Sequence, residues 1–224
     1  MPQKSIMPLK SILSTRTLYK EHKALLNKAN IQVTEYNAIT IESVVFDSEI
    51  IIENAIITSQ NAAKAVIDNK VVIRNCFCVG EKTVAFLEDN GQNVSKMKFY
   101  ASDLANYIVK YHKNEAFTFF CGNLRQDALP DALRKNNIGL KEIIVYNTQP
   151  APKKINGEFD ALLFYSPSGV SSYLAENSIN NEIIFCIGKT TATAVQEYTK
   201  NIVIPSSPTI ENLLQSVVKH SKKS

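Results

Sequence analysis

Several features that mark common classes of protein are missing from this sequence. Its 224 residues include no tryptophan, only three histidines and only seven glycines. No apolar run approaches the roughly 20 residues that span a membrane, and the start MPQKSIMPLKSIL lacks the apolar stretch and cleavage site of a secretory signal. We therefore expect a cytoplasmic protein that does not contact a membrane.

The motifs of several enzyme classes are also absent. The sequence has no G-x-x-x-x-G-K-[ST] phosphate loop, no G-x-G-x-x-G fingerprint and no H-E-x-x-H zinc motif. His22, His112 and His220 lie in charged helical stretches and are predicted to be at the surface, so no Ser-His-Asp triad is apparent. We expect neither a metal ion nor a cofactor, and any catalysis would depend on positioning and backbone electrostatics.

The cysteines and the charge balance exclude further classes. Cys76, Cys78, Cys121 and Cys186 lie in apolar, strand-like runs at spacings that fit neither a zinc site nor a disulfide framework. They are expected to be buried free thiols, although Cys76 and Cys78 would share one face of a strand, which leaves a redox pair open. The net charge of +4 forms no basic stripe, so nucleic acid is not expected, whereas an anionic small molecule is.

Short apolar runs alternate with stretches of helical periodicity along the whole chain. Such alternation predicts an α/β fold in which parallel sheets are flanked by helices. The candidate strands are residues 11–15, 31–36, 54–58, 70–79, 117–121, 142–147, 161–165, 182–187 and 202–204.

An internal repeat divides this pattern into two similar domains. FCVGEKTVAFL (77–87) and FCIGKTTATAV (185–195) share Phe, Cys, Gly and Thr at a constant offset of 108 residues. AIITSQNAAKAV (55–66) matches LLFYSPSGVSSY (162–173), and YASDLANYIV (100–109) matches PTIENLLQSV (208–217), at offsets of 107 and 108. Nearly constant offsets in three separate blocks indicate a duplicated unit.

The order of the repeated pieces predicts that one domain is inserted into the other. ILSTR (12–16) resembles FFCGNLR (119–125), yet the first lies at the start of the chain while the rest of its copy lies at the end. We therefore predict a discontinuous domain of residues 1–36 and 149–224. The inserted domain is predicted to span residues 37–148, and the two crossing segments are expected to pair as a two-stranded β linker.

Each repeated Ser or Gly-x-x-Thr element falls where a strand ends and a helix begins. There the first N–H groups lack intrahelical partners, and the helix dipole presents positive charge. The hydroxyls fit two interpretations, as helix caps or as parts of anion sites. Because ligands collect at the carboxyl ends of parallel strands, we expect both domains to face one cleft that takes a large polyanion.

Eight short segments, in this order and spacing, resemble the uroporphyrinogen-III synthase family, whose members are cofactor-free enzymes of tetrapyrrole biosynthesis. They are LSTR (13–16), ITSQNAA (57–63), VGEKT (79–83), GNLRQDAL (122–129), VYNT (145–148), FYSPSGV (164–170), IGKTTATAV (187–195) and PTIENLL (208–214). The resemblance covers nearly the whole chain. Thr17 and Val84 depart from the Pro and Ala common in the family, and neither lies at a group expected to be catalytic.

The resemblance implies a cyclising lyase that dehydrates hydroxymethylbilane, a polyanionic linear tetrapyrrole, and closes it to uroporphyrinogen III. Ring D is inverted through a spiro intermediate, whereas uncatalysed closure gives isomer I. The polyanionic substrate agrees with the anion-binding helix starts. The sequence shows no apolar heptad and no evident sticky strand, which favours a monomer.

The resemblance and the positions of the turns together nominate the site residues. Tyr146, on the second crossing, is the expected general acid for departure of the hydroxyl, although its ring could instead only pack between the domains. Thr83 is the second catalytic candidate. For the basic residues, ion pairs within the protein are the alternative. The candidates for substrate binding are Arg16, Ser59, Gln60, Asn61, Gly80, Lys82, Arg125, Ser166, Ser168, Gly169, Gly188, Lys189, Thr190 and Thr191.

Two other functions fit a two-lobed α/β chain. One is a non-catalytic cytosolic binding protein that closes on an anionic metabolite, which turnover would distinguish from a synthase. The other is a nucleotide-sugar transferase, which would be expected to carry a nucleotide-binding loop or a carboxylate pair for the diphosphate. The sequence contains neither feature.

Overall fold

A computed structural model of the chain describes residues 9–47 and 51–222. The chain divides into two compact units. Unit 1 comprises Met1–Thr40 and Gln149–Ser224, of which residues 9–40 and 149–222 are described, and unit 2 comprises Ile41–Thr148.

Strands and helices alternate along most of the described chain, which confirms the predicted α/β class. The strands are β1 (Ser11–Ser14), β2 (Gln32–Glu35), β3 (Ile39–Ser43), β4 (Ile51–Ile57), β5 (Val72–Val79), β6 (Val94–Lys98), β7 (Ala116–Gly122), β8 (Gly139–Pro150), β9 (Ala161–Phe164), β10 (Ile183–Cys186) and β11 (Ile202–Val203). The helices are α1 (Lys20–Lys28), α2 (Gln60–Asp68), α3 (Glu81–Asp89), α4 (Ala101–Tyr111), α5 (Ala128–Lys135), α6 (Pro167–Leu174), α7 (Lys189–Val195) and α8 (Ile210–Ser221).

Unit 1 is built on a parallel sheet in the order β2-β1-β9-β10-β11. The apolar sequences ALLF of β9 and IIFC of β10 are almost wholly buried, as expected for strands covered on both faces. Leu26 of α1 and Leu213 of α8 pack in one core cluster, and Val170 of α6 and Val195 of α7 pack in another.

Unit 2 repeats this architecture in the order β8-β7-β4-β5-β6, all parallel, with β3 added beside β8. The N–H of Ala151 donates to the carbonyl of Ala38, and the N–H of Val44 donates to the carbonyl of Val145. These partners run in opposite directions along the chain, so β3 and β8 are antiparallel. The two crossing segments therefore pair, as the sequence predicted.

Two strands were absent from the predicted set. β6 has the sequence VSKMK, in which two lysines and a serine interrupt the apolar pattern, and it lies at the edge of its sheet. Charged residues are common on edge strands, where they discourage pairing with other chains. β3 lies in a crossing segment with four exposed residues out of five, so it carries little hydrophobic signal.

The predicted surface position of His22 was wrong, whereas the cysteines are buried as expected. His22 is only 5% exposed because it lies four residues before Leu26 on the apolar face of α1, a relation hidden by its charged neighbours. All four cysteines are free and buried. Burial raises the pKa of Cys186 to about 12, which keeps that thiol protonated and unreactive.

Candidate functional site

The carboxyl ends of four neighbouring strands in unit 2 carry most of its predicted site residues. Because β4, β5, β7 and β8 are parallel, these ends share one edge of the sheet. Ser59 follows β4, Gly80 follows β5, and Tyr146 lies on β8 beside Gly122, the last residue of β7. This edge is where ligands bind in open α/β sheets.

Ser59 caps α2, which confirms the capping interpretation for this hydroxyl. Its backbone is extended, and its Oγ accepts a hydrogen bond of 3.1 Å from the N–H of Ala62. The N–H groups of Gln60 and Asn61 point out of the first turn without intrahelical partners, and both side chains are exposed. The cap therefore leaves two donors and the positive end of the helix dipole for an anion.

The Tyr146 hydroxyl lies at the start of the same helix. Its oxygen is 3.1 Å from Ser59 Oγ, and the ring packs against the core cluster that contains Phe120 and Val145. A Cβ atom added to Gly122 would lie 2.5 Å from ring atoms Cε2 and Cζ. The ring thus crosses the end of β7 in space that only a glycine leaves open.

The Gly-x-x-Thr turn before α3 differs from a serine cap. Gly80 has φ of +87°, a left-handed conformation that favours glycine, and it forms the N-cap without a side-chain hydrogen bond. Thr83 is 4% exposed inside the first turn, and its N–H donates to the carbonyl of Gly80. Thr83 therefore does not cap the helix, and Lys82 is exposed beside it.

Arg125 forms ion pairs within unit 2. Its Nε donates to the Glu142 carboxylate and its Nη1 donates to the Asp127 carboxylate. The hydrogen bond with Asp127, followed by that with Glu142, raises the pKa of the Arg125 guanidinium. Arg134 contacts the same Glu142 carboxylate. For Arg125 the structure therefore shows ion pairs within the protein, which was the alternative to substrate binding that the sequence left open.

The carboxyl edge of unit 1 has a related set of turns. Ser166 caps α6 by accepting from the N–H of Gly169 at 3.0 Å, and its Oγ lies 3.0 Å from that of Ser168. Gly188 is the N-cap of α7 in an extended conformation, and Thr191 is 1% exposed in that helix. The remaining candidates at this edge, all exposed, are Arg16, Lys189 and Thr190.

Sequence reasoning missed two residues at these edges. Tyr165 places its hydroxyl 3.0 Å from Ser14 Oγ, which in turn donates to the carbonyl of Arg16 at 2.6 Å. Burial raises the pKa of Tyr165 to about 12, so this phenol stays neutral. Gly122 is the second residue that was missed. An isolated glycine at a strand end often marks the close approach of another group, and this feature of the sequence could have identified it.

Residues 9–47 and 51–222 contain neither a cluster of metal ligands nor a membrane-spanning helix. No three His, Cys, Asp or Glu side chains come together in a way that could hold a metal ion. None of the helices in these ranges combines the length and the apolar character needed to cross a bilayer.

Comparisons with known proteins agree with this architecture. A family model described as uroporphyrinogen-III synthase HemD matches residues 20–215. The fold resembles a uroporphyrinogen-III synthetase from Helicobacter pylori, with a TM-score of 0.68 and 15% identity over 94% of this chain and 99% of that chain. It also resembles a mutant uroporphyrinogen III synthase from Thermus thermophilus, with a TM-score of 0.65 and 13% identity over 96% and 99%. A search of curated proteins gave no match.

Proposed function

The chain belongs to the uroporphyrinogen-III synthase family of cyclising lyases, and we propose that it closes hydroxymethylbilane to uroporphyrinogen III. The observation that carries this proposal is the family match over residues 20–215, because that range includes the carboxyl end of every described strand except β1. The chemistry of those edges supports it, since they offer hydroxyl groups and helix starts to a polyanion.

The proposed first step is loss of the substrate's hydroxyl as water. The Tyr146 phenol gives its proton to the departing oxygen, and the C–O electron pair leaves with the water. The nitrogen of the adjoining pyrrole delocalises the resulting cation. The start of α2, whose Ser59 lies 3.1 Å from the phenol oxygen, stabilises the phenolate that remains.

Ring inversion follows from where the cation is attacked. Attack by the substituted carbon of ring D gives the spiro intermediate, and its rearrangement leads to closure of the macrocycle as isomer III. The proton released from the pyrrole carbon at closure restores the phenol, so the net change is loss of one water molecule. Holding the reacting ends in this geometry is the main task of the protein.

Substrate carboxylates are proposed to bind at helix starts rather than in one cationic pocket. In unit 2 these are the N–H groups of Gln60 and Asn61, with Gly80 on the adjoining turn. The buried Thr83 supports that turn by donating its N–H to the Gly80 carbonyl. In unit 1 the proposed binding groups are the hydroxyls of Ser166 and Ser168 and the adjoining Gly169. Exposed Arg16 and Lys189 would pair with further carboxylates. Arg125 is less suited, since it would have to leave Asp127 and Glu142.

The test supplies purified protein with freshly generated hydroxymethylbilane and separates the uroporphyrin isomers after oxidation. We expect a protein-dependent shift from isomer I to isomer III that is proportional to protein concentration. Isomer I alone, from protein shown to be folded by circular dichroism, would contradict the proposal. That result would favour a non-catalytic protein that binds an anionic metabolite.

We further propose that the protein acts as a cytoplasmic monomer that needs no cofactor and no nucleic acid. Light scattering at the assay concentration should give a mass near 25.0 kDa. Activity should survive treatment with a metal chelator and with nuclease. A dimer mass at the assay concentration, or loss of turnover after chelation, would contradict the corresponding part.

A further inference from the structure

We infer that Gly122 and Ser59 are positioning residues for Tyr146. Gly122 leaves the space that the phenol ring occupies, and Ser59 donates a hydrogen bond to the phenol oxygen. The phenol proton then remains available for the departing hydroxyl of the substrate. This inference rests on the proposed role of Tyr146 as the general acid.

The case for Gly122 is steric and not conformational. Gly122 is buried, and its φ lies outside the left-handed region, so its backbone would accept any residue. An added Cβ would nevertheless lie 2.5 Å from Cε2 and Cζ of Tyr146 and 2.8 Å from its hydroxyl oxygen. An alanine at this position would therefore displace the ring and move the hydroxyl away from Ser59.

The case for Ser59 rests on how its hydroxyl is used. Its oxygen already accepts from the N–H of Ala62 at 3.1 Å, while its own proton has the Tyr146 oxygen within 3.1 Å. With Ser59 as the donor in this proposal, Tyr146 keeps its proton for the substrate. The same hydrogen bond strengthens when the phenol becomes a phenolate, because charged acceptors form stronger hydrogen bonds.

The corresponding strand end in unit 1 carries no glycine. The end of β1, which corresponds to the end of β7, carries Ser14 and Thr15. Tyr36, immediately after β2, corresponds to Tyr146 on β8. The Tyr36 hydroxyl is buried without a hydrogen-bond partner among the described residues. The Oγ of the capping Ser166 instead contacts Ser168.

The first experiment measures Gly122→Ala against Gly139→Ala. Gly139 also lies outside the left-handed region, and its added Cβ would meet only Ala116, at 3.2 Å from Cβ, at the opposite end of β8. We expect Gly122→Ala to lower kcat for isomer III about tenfold with KM within about twofold. Gly139→Ala should stay within about twofold of wild type in both constants. Unchanged kcat in folded Gly122→Ala protein would overturn the inference.

A stability cycle tests the packing without relying on turnover. Gly122→Ala should lower Tm in the wild-type background but not in a Tyr146→Ala background, where the ring is gone. Equal loss of Tm in both backgrounds would overturn the role of Gly122. If wild-type protein gave only isomer I, the proposed function would fail while this cycle would still report on the packing.

A second cycle separates the role of Ser59 from direct contact with substrate. Ser59→Ala should lower kcat about tenfold, and Ser59→Thr, which keeps the hydroxyl and the cap, should restore most of it. In a Tyr146→Phe background, Ser59→Ala should cause no further fall in kcat. If it lowered kcat by the same factor there, Ser59 would act independently of Tyr146 and the inference would be wrong.

Discussion

In unit 1 the parallel strands run β2-β1-β9-β10-β11, and in unit 2 they run β8-β7-β4-β5-β6, so every strand except the antiparallel β3 has a counterpart. Each first Ser-helix turn is capped in the same way, by Ser166 in unit 1 and by Ser59 in unit 2. The tyrosines differ. Tyr146 reaches its capping serine at 3.1 Å, whereas the Tyr36 hydroxyl is buried and unpartnered within the described residues.

This difference shows how two units with the same order of parallel strands can place matching tyrosines in different surroundings. Both edges keep the helix starts that suit an anion, because those depend on strand order and backbone alone. At the end of β7 the Tyr146 ring occupies space that a side chain at Gly122 would fill, whereas the end of β1 carries Ser14 and Thr15.

The largest expected effect is a loss of folding stability when the core of either unit is changed. Phe77 and Phe185 occupy matching positions on β5 and β10 and are 2% and 0% exposed. Each change to alanine should cost about 3–5 kcal/mol through lost burial and cavity formation. Hydrogen exchange followed by mass spectrometry should show loss of protection mainly in the unit that carries the change. Equal loss in both units would contradict separate cores.

A smaller loss of folding stability is expected when either of the two serine helix caps is removed. Ser59 and Ser166 each accept from one backbone N–H and contact one other hydroxyl, so the two sites are matched in hydrogen bonding. Ser59→Ala and Ser166→Ala should each lower the free energy of unfolding by about 1 kcal/mol. Urea denaturation measures both. A much larger loss for Ser59→Ala would mean that its contact with Tyr146 contributes to folding as well as to positioning.

The smallest expected effect is a change in folding stability that appears only at alkaline pH. Burial raises the pKa values of Tyr36, Tyr165 and Tyr173 to about 12 from 10.0, and all three lie in unit 1. The folded state therefore holds protons that the unfolded state has lost, so stability is complete below pH 10 and falls as the pH rises towards 12. Denaturation midpoints in this range should fall less steeply for Tyr36→Phe than for wild type. An unchanged slope would contradict the assignment for Tyr36.

The sequence predicted the parts of this fold that depend on local pattern. Strand-helix alternation and the offset of 108 residues indicated two similar α/β domains, and residue type indicated a serine cap at Ser59. The contact between Ser59 and Tyr146 joins residues 87 apart through the pairing of β4, β7 and β8, which no local pattern encodes. The Arg125–Glu142 pair likewise depends on tertiary structure, and the catalytic roles stay predictions.

The most direct test of the account changes the matched tyrosines and measures the rate of isomer III formation. Tyr146→Phe should lower kcat roughly 10- to 100-fold without abolishing turnover, because backbone groups share the work. Tyr36→Phe removes an unpartnered buried hydroxyl, so it should fold at least as stably as wild type and stay within about twofold in kcat. Similar losses for both variants, or none for Tyr146→Phe, would contradict the claim that unit 2 supplies the proton donor.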